Sequence, residues 1–194
     1  MLNVIIFGAP GSGKGTQSEL IISKYGLFHI STGDILRQEI KKQTELGVIA
    51  EEYIKTGQLV PDELIIKMLA DVIDANSETK GFIFDGFPRT IAQGIALDEL
   101  LSEKNTSIVA VLNLVVDEKE LLARLIKRGE ESGRMDDDPV VIQNRLEVYR
   151  NQTEPLKEYY KKKGKLFTVK GQNSIDDVFE QIVDVLDRIS FQRK

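Results

Sequence analysis

The stretch Gly8-Ala9-Pro10-Gly11-Ser12-Gly13-Lys14-Gly15-Thr16 decides the reading of this chain. It follows the apolar run Val4-Ile5-Ile6-Phe7 and leads into a helical pattern carrying Leu20, Ile21 and Lys24. Strand, glycine-rich loop and helix, in that order, form the phosphate-binding loop of P-loop nucleotide proteins. The glycines let successive backbone N–H groups turn toward one anion, and the helix N-terminus adds its partial positive charge. Gly11, Ser12, Gly13 and Gly15 supply the cradle, Lys14 the cation for the β- and γ-phosphates of a nucleoside triphosphate, and Thr16 a hydroxyl for the magnesium shell. The general pattern has Ser or Thr directly after the lysine; here Gly15 intervenes.

Outward from the loop, short apolar runs alternate with longer helical patterns, as in parallel sheets with crossover helices. Strands are expected over residues 2–7, 28–30, 81–84, 107–116 and 166–169. The run Ile108-Val109-Ala110-Val111-Leu112 suits a strand buried on both faces. A helix over 13–25 follows the loop. Asp117 with Glu120 reads as a capping box for a helix over 118–128. Ser174 with Asp177 reads as a looser cap for the last helix, where Ile175, Val178, Ile182, Val185 and Ile189 recur at amphipathic spacing. Residues 31–75 read as about three helices with no strand between them. Residues 129–138 are polar and glycine-containing and read as an exposed loop. The expectation is one α/β domain over 1–194: the three-layer P-loop NTPase fold, a five-stranded parallel sheet flanked by helices.

Composition narrows the function. The 194 residues are 41% hydrophobic and 29% charged, with a net charge of −5. That balance disfavours a nucleic-acid partner. With no cysteine there is no structural zinc of the cysteine type, and with one histidine, His29, a multi-histidine metal site is excluded. No run reaches bilayer-spanning length, and no positive charges precede the first apolar run. No membrane partner and a cytoplasmic location are the expectations.

Three further motifs carry the specific reading: Ser31-Thr32-Gly33-Asp34-Ile35-Leu36-Arg37, then Gly57-Gln58-Leu59-Val60-Pro61-Asp62, then Asp85-Gly86-Phe87-Pro88-Arg89-Thr90 with Gln93 beyond. Together with the loop, they make the chain resemble the adenylate kinase family of nucleoside-monophosphate kinases over essentially its whole length. Gly15 is then a feature of that family. The resemblance implies Mg-dependent phosphoryl transfer from ATP to AMP, giving two ADP, in a monomer. It implies that Arg37 and Arg89 clamp the AMP phosphate, the guanidinium fork matching its oxygens. Thr32 and the Gln58, Leu59 and Val60 backbone would line the AMP base and ribose, with Gln93 on the base edge. Gly86, followed by Phe87 and Pro88, would let the chain pass close to the AMP phosphate. Asp85, at a strand end, would hold magnesium through water with Thr16.

Arg124 and Arg128 share one face of a helix, Arg134 follows the polar loop, and Arg145 lies on the next helix. By the same resemblance these are the lid and hinge arginines. Arg128 would contact ATP, and Arg134 and Arg145 would close on the acceptor side. Asp136 and Asp137 would anchor the lid, and Asn173 falls where the ATP adenine is contacted. Two mobile insertions are expected: residues 31–60, a helical AMP-binding excursion, and 128–138, a short lid. The acceptor is an ionised phosphate oxygen, so no general base is required, and His29 is read as structural. The alternatives are a UMP/CMP kinase, disfavoured by Thr32 and Gln93, and a P-loop switch. A guanine-binding switch would need an Asn-Lys-x-Asp signature, and no Asn-Lys pair occurs.

Overall fold

Side-chain alternation in the first strand sets the architecture. In β1 (Asn3–Phe7) all five residues are buried. Ile5 and Phe7 face one apolar cluster while Val4 and Ile6 face another, as the period of two along a strand requires. Such a strand must lie inside a sheet covered on both sides. The structure, a computed structural model, describes residues 1–191. Its sheet runs β2-β3-β1-β4-β5 with every neighbouring pair parallel. The other strands are β2 (Phe28–Ser31), β3 (Phe82–Asp85), β4 (Ile108–Val115) and β5 (Leu166–Lys170). The expected α/β class and five-stranded parallel sheet are borne out.

One face is covered by α1 (Lys14–Tyr25) and α9 (Ile175–Phe191), through Ile21, Val178, Ile182 and Leu186. The other takes α2 (Thr32–Lys42), α3 (Glu45–Thr56), α4 (Asp62–Ala75), α5 (Ile91–Glu103) and α8 (Leu156–Lys162). The first three of these follow one another with no strand between, as expected. The first two have a side-chain cap: the Ser31 hydroxyl accepts from the Asp34 N–H at 3.3 Å, and Thr44 Oγ1 accepts from the Gly47 N–H at 3.0 Å. At the last helix the expected cap is present, Ser174 Oγ accepting from the Asp177 N–H at 3.1 Å.

The strand order places the site. The chain leaves β1 for one side of the sheet and later crosses to the other, so the crevice at the strand ends opens beside β1. In the β1–β3 register Ile6 lies opposite Asp85, which brings the loop after β1 alongside the Asp85-Gly86 turn.

Two local expectations are corrected. Residues 129–138 are not an exposed loop: α6 runs Glu118–Ser132, and a 3-10 turn follows at Met135–Asp137. Gly129 acts here through its small size. A β-carbon on it would lie 3.0 Å from the Asp137 carbonyl oxygen, so its absence lets the turn pack back onto the helix. Asp136 and Asp137 are consequently buried. Likewise Asp117 starts α6 without a side-chain capping bond. Its Oδ2 instead accepts a hydrogen bond from Gln172 Nε2. Beyond the turn, α7 (Pro139–Val148) passes through a π-helical turn at Tyr149–Thr153 toward α8.

Candidate active site

The phosphate loop ends at Gly13, whose left-handed φ of 90° delivers the chain into α1. Lys14 folds back over the loop, its ammonium donating to the Gly8 and Ala9 carbonyls at 2.9 and 3.1 Å. Burial lowers its pKa to about 8, with Asp85 opposing that shift and Arg89, Arg145 and Arg128 adding to it. Ser12 is buried and its hydroxyl finds no partner, so it serves the loop through its backbone.

At the end of β3, Gly86 has φ 78° and a β-carbon there would lie 2.8 Å from Thr32 Oγ1. Thr32 donates its hydroxyl hydrogen to the Gly86 carbonyl at 2.9 Å, and Arg89 Nε donates to the same oxygen at 2.7 Å. Burial and the charge of Arg145 pull the Arg89 pKa down to about 10. Arg37 reaches back to Asp34 Oδ1 at 2.6 Å. Phe87 and Pro88 lie beneath, lining a small adjoining pocket rather than the main cleft.

From the lid side, Arg128 forks onto Asp137 through two 2.7 Å bonds, and Arg145 Nη1 donates to Asp137 Oδ1 at 2.7 Å. Arg145 also lies 3.0 Å from Asp136 Oδ2. Burial opposes the Arg128 charge, yet Asp137 holds that group above the ordinary arginine value. Arg134 and Arg145 both lie below theirs, burial being the chief cause. Arg124 bridges Glu120 Oε1 at 2.9 Å and the Gly171 carbonyl at 3.2 Å.

These groups surround one cleft of about 490 Å³, within the range of small-molecule sites. Gly11, Gly13, Lys14, Gly15 and Thr16 form one wall. Thr32, Arg37, Gln58, Leu59, Val60, Gly86, Arg89 and Gln93 line the cleft too, together with Asp85 and with Arg124, Arg128, Arg134 and Arg145. Asn173 is exposed and outside this cleft. One lysine and six arginines converge in a chain whose net charge is −5. Several of them lower one another's pKa, so the cleft is built to receive multiple anionic charges.

The donors present fit a magnesium ion bound through water. Among the described residues no group of three or more His, Cys, Asp or Glu could cage a metal. Magnesium retains most of its waters and needs only one or two protein oxygens besides phosphates. The Asp85 carboxylate and Thr16 hydroxyl line the same cleft. The His29 imidazole Nε2 lies 3.8 Å from Asp85 Oδ2. Among the described residues, no helix is long and apolar enough to cross a membrane.

Two residues escaped the sequence reading in this role, Asp34 on the cleft lining and Asp62 behind it. Asp34 belonged to a quoted motif but received no role, and it holds Arg37. Asp62 was quoted only as the end of a motif, and it hydrogen-bonds the buried Gln93 side chain. In sequence it is an acidic residue in the first turn of α4, and its partner on α5 lies 31 residues away.

Comparison with known proteins accords with this geometry. A family model described as adenylate kinase matches residues 6–165. The chain is 62% identical over 189 residues to an adenylate kinase of Azobacteroides pseudotrichonymphae genomovar. CFP2, covering 97% of this chain and 99% of that one. It is 57% identical to the adenylate kinase of Parabacteroides distasonis, covering 97% and 100%. With that of Porphyromonas gingivalis strain W83 the identity is 50%, over 97% of each.

Proposed function

This chain belongs to the adenylate kinase family and carries its phosphotransferase function, and from that premise we propose that its cleft moves the γ-phosphoryl of Mg·ATP reversibly onto AMP, giving two ADP. The observation that supports this most is the convergence of the loop lysine with arginines from both flanks on a single cleft. A simple triphosphatase needs cations around one polyphosphate. Here Arg37, from α2, and Arg89, from the turn after β3, add two guanidinium groups to the same cleft, enough for a second phosphate.

In this reading an oxygen of the AMP phosphate forms the new bond to the γ-phosphorus while the bridging oxygen to the β-phosphorus leaves with ADP. The acceptor oxygen is already largely ionised near neutral pH, because the second phosphate pKa is about 6. No base is required, and catalysis rests on alignment and charge. Lys14 leaves the loop carbonyls to meet the β- and γ-phosphates, with Gly11, Ser12, Gly13, Gly15 and Thr16 as their backbone cradle. Arg37 and Arg89 fix the acceptor phosphate. Arg124, Arg128, Arg134 and Arg145 neutralise charge on the group in flight. Thr16 and Asp85 would hold magnesium through water, and the ion would supply positive charge to the donor phosphates. Thr32, Gln58, Leu59 and Val60 would hold the AMP base and ribose, with Gln93 reading the base edge.

Residues 31–60 and 128–138 act as the closing segments that keep water from taking the phosphoryl group. Support comes from their contact in this structure: α3 packs against the turn at Met135–Asp137, and just beyond that turn α7 joins it, Asn144 Nδ2 donating to the Thr56 carbonyl at 3.4 Å and Gly57 packing against Val141 and Arg145. The same proposal has the protein working as a monomer on free nucleotides, with no nucleic-acid or membrane partner. Initial rates with AMP, CMP, UMP and GMP as acceptors for Mg·ATP test it. AMP should be preferred. Faster turnover of CMP or UMP would overturn the assignment, and ATP hydrolysis indifferent to any monophosphate would overturn the transfer itself.

A further inference from the structure

The side chain that faces the proposed acceptor base is held in one orientation by a residue outside the substrate contacts. Asp62 is the first residue of α4, and Gln93 sits in the first turn of α5. Asp62 Oδ1 accepts from Gln93 Nε2 at 2.6 Å, and its Oδ2 accepts from Thr90 Oγ1 at 2.9 Å. On the opposite side of the amide, Gln93 Oε1 accepts from the Arg89 backbone N–H at 2.7 Å. Gln93 itself is only 2% exposed. We propose that Asp62 is a positioning residue that fixes the donor–acceptor order of the Gln93 amide and thereby selects adenine over 6-oxopurines at the acceptor site.

The argument rests on the reading above that Gln93 meets the acceptor base. A glutamine amide has two nearly isosteric orientations that exchange oxygen and nitrogen. A carboxylate only accepts and a backbone N–H only donates. With Asp62 on one side and the Arg89 N–H on the other, turning the amide over makes two like-with-like contacts at once. Oxygen would face carboxylate, and N–H would face N–H. In a buried site neither is relieved by water, so the orientation is locked.

The locked amide retains one lone pair on Oε1 and one hydrogen on Nε2. Side by side, these match an edge with a donor next to an acceptor, which is the amino group and N1 of adenine. Hypoxanthine and guanine carry the opposite order there, a carbonyl beside an N–H. They would be matched only by the overturned amide. Gln93 alone could serve either base; the preference comes from Asp62 acting together with the Arg89 N–H. Thr90 supports the arrangement, its hydroxyl accepting from the Gln93 N–H at 3.1 Å while donating to Asp62.

AMP and IMP share ribose and phosphate and differ only at this edge, so kcat/KM for each, with saturating Mg·ATP, isolates the effect. In Asp62→Leu, which removes both acceptors, the AMP-to-IMP preference should narrow tenfold or more, chiefly through KM. In a Gln93→Met background the same Asp62→Leu change should leave the ratio where Gln93→Met put it. Retention of the full preference by folded Asp62→Leu, or a further shift in the Gln93→Met background, overturns the role of Asp62. A wild-type enzyme that does not prefer AMP over IMP would instead sink the acceptor-base reading beneath it. If Asp62→Leu does not fold, NMR of the wild-type side-chain amide decides. Two separate, slowly exchanging Gln93 amide protons, one shifted downfield by the carboxylate, are expected, and an averaged, fast-exchanging pair overturns the lock.

Discussion

Asp137→Asn should destabilise the protein strongly in the absence of nucleotide and much less in its presence. The carboxylate accepts three charge-assisted hydrogen bonds at 2.7 Å, two from Arg128 and one from Arg145. Bonds of this kind contribute about 1.5–3 kcal/mol each when counted singly. They share one acceptor group, the Arg128 side chain is 34% exposed, and asparagine retains one acceptor, so the sum is far from additive. A loss of roughly 2–4 kcal/mol remains, below the 3–5 kcal/mol typical of breaking a fully buried pair. For a chain of this size that lowers Tm by roughly 5–15 °C. Bound ADP would return negative charge to the same two arginines, so saturating Mg·ADP should raise Tm more in the variant than in the wild type. Burial pushes the Asp137 carboxyl up, but its bonds and charges from Arg128 and Arg145 outweigh this and hold it below the usual range. A carboxyl depressed in the folded state gives stability that is present above the unfolded value near about 4 and is lost as pH falls through the folded one. The variant should therefore also show a flatter acid limb. Thermal unfolding followed by circular dichroism, with and without Mg·ADP and across acid pH, checks all three. A Tm loss below about 2 °C, or one that ADP leaves unchanged, would refute the idea that Asp137 holds these arginines in readiness for phosphate.

Lys14 makes nucleotide binding proton-linked. Its pKa of about 8 in the empty cleft should rise beside a polyphosphate, so the complex binds more protons and affinity falls as pH climbs above 8. Titration calorimetry at pH of about 9 in buffers of different ionisation heat should show proton uptake and roughly tenfold weaker ATP binding than at neutrality; absence of uptake contradicts the linkage. Arg89→Lys should cut kcat/KM for AMP by about 100-fold or more. A point charge cannot hold the Gly86 carbonyl and a phosphate together, and near-normal kinetics would remove Arg89 from the acceptor clamp.

Much of this site was legible because its signals are local. The loop, its strand and its helix are contiguous, and glycine at Gly13 answers a backbone requirement within that segment. The arginines of the acceptor and lid motifs also came through, since each sits in a recognisable run. The failures share a different cause. The stretch 129–138 reads as loop because it is polar and carries glycines. Yet Asp136 and Asp137 are buried by arginines arriving from α6 and α7. Asp117 loses its capping role to a contact with Gln172, 55 residues away. Asn173, expected at the ATP adenine, lies on the exposed turn after β5.

Sequence by itself determined the strand–helix alternation, the phosphate loop and the identity of the cationic side chains, because hydrophobic period and glycine conformation act over a few residues. It also carried a family resemblance that full-length relatives bear out. Only the tertiary structure decided how the charges are paired before any substrate arrives. Lys14 rests on loop carbonyls, Arg128 and Arg145 share Asp137, and Gln93 is clamped between Asp62 and the Arg89 backbone. Those pairings join residues that chain order leaves apart. They arise because a buried charge or amide must find a partner wherever the packed fold supplies one.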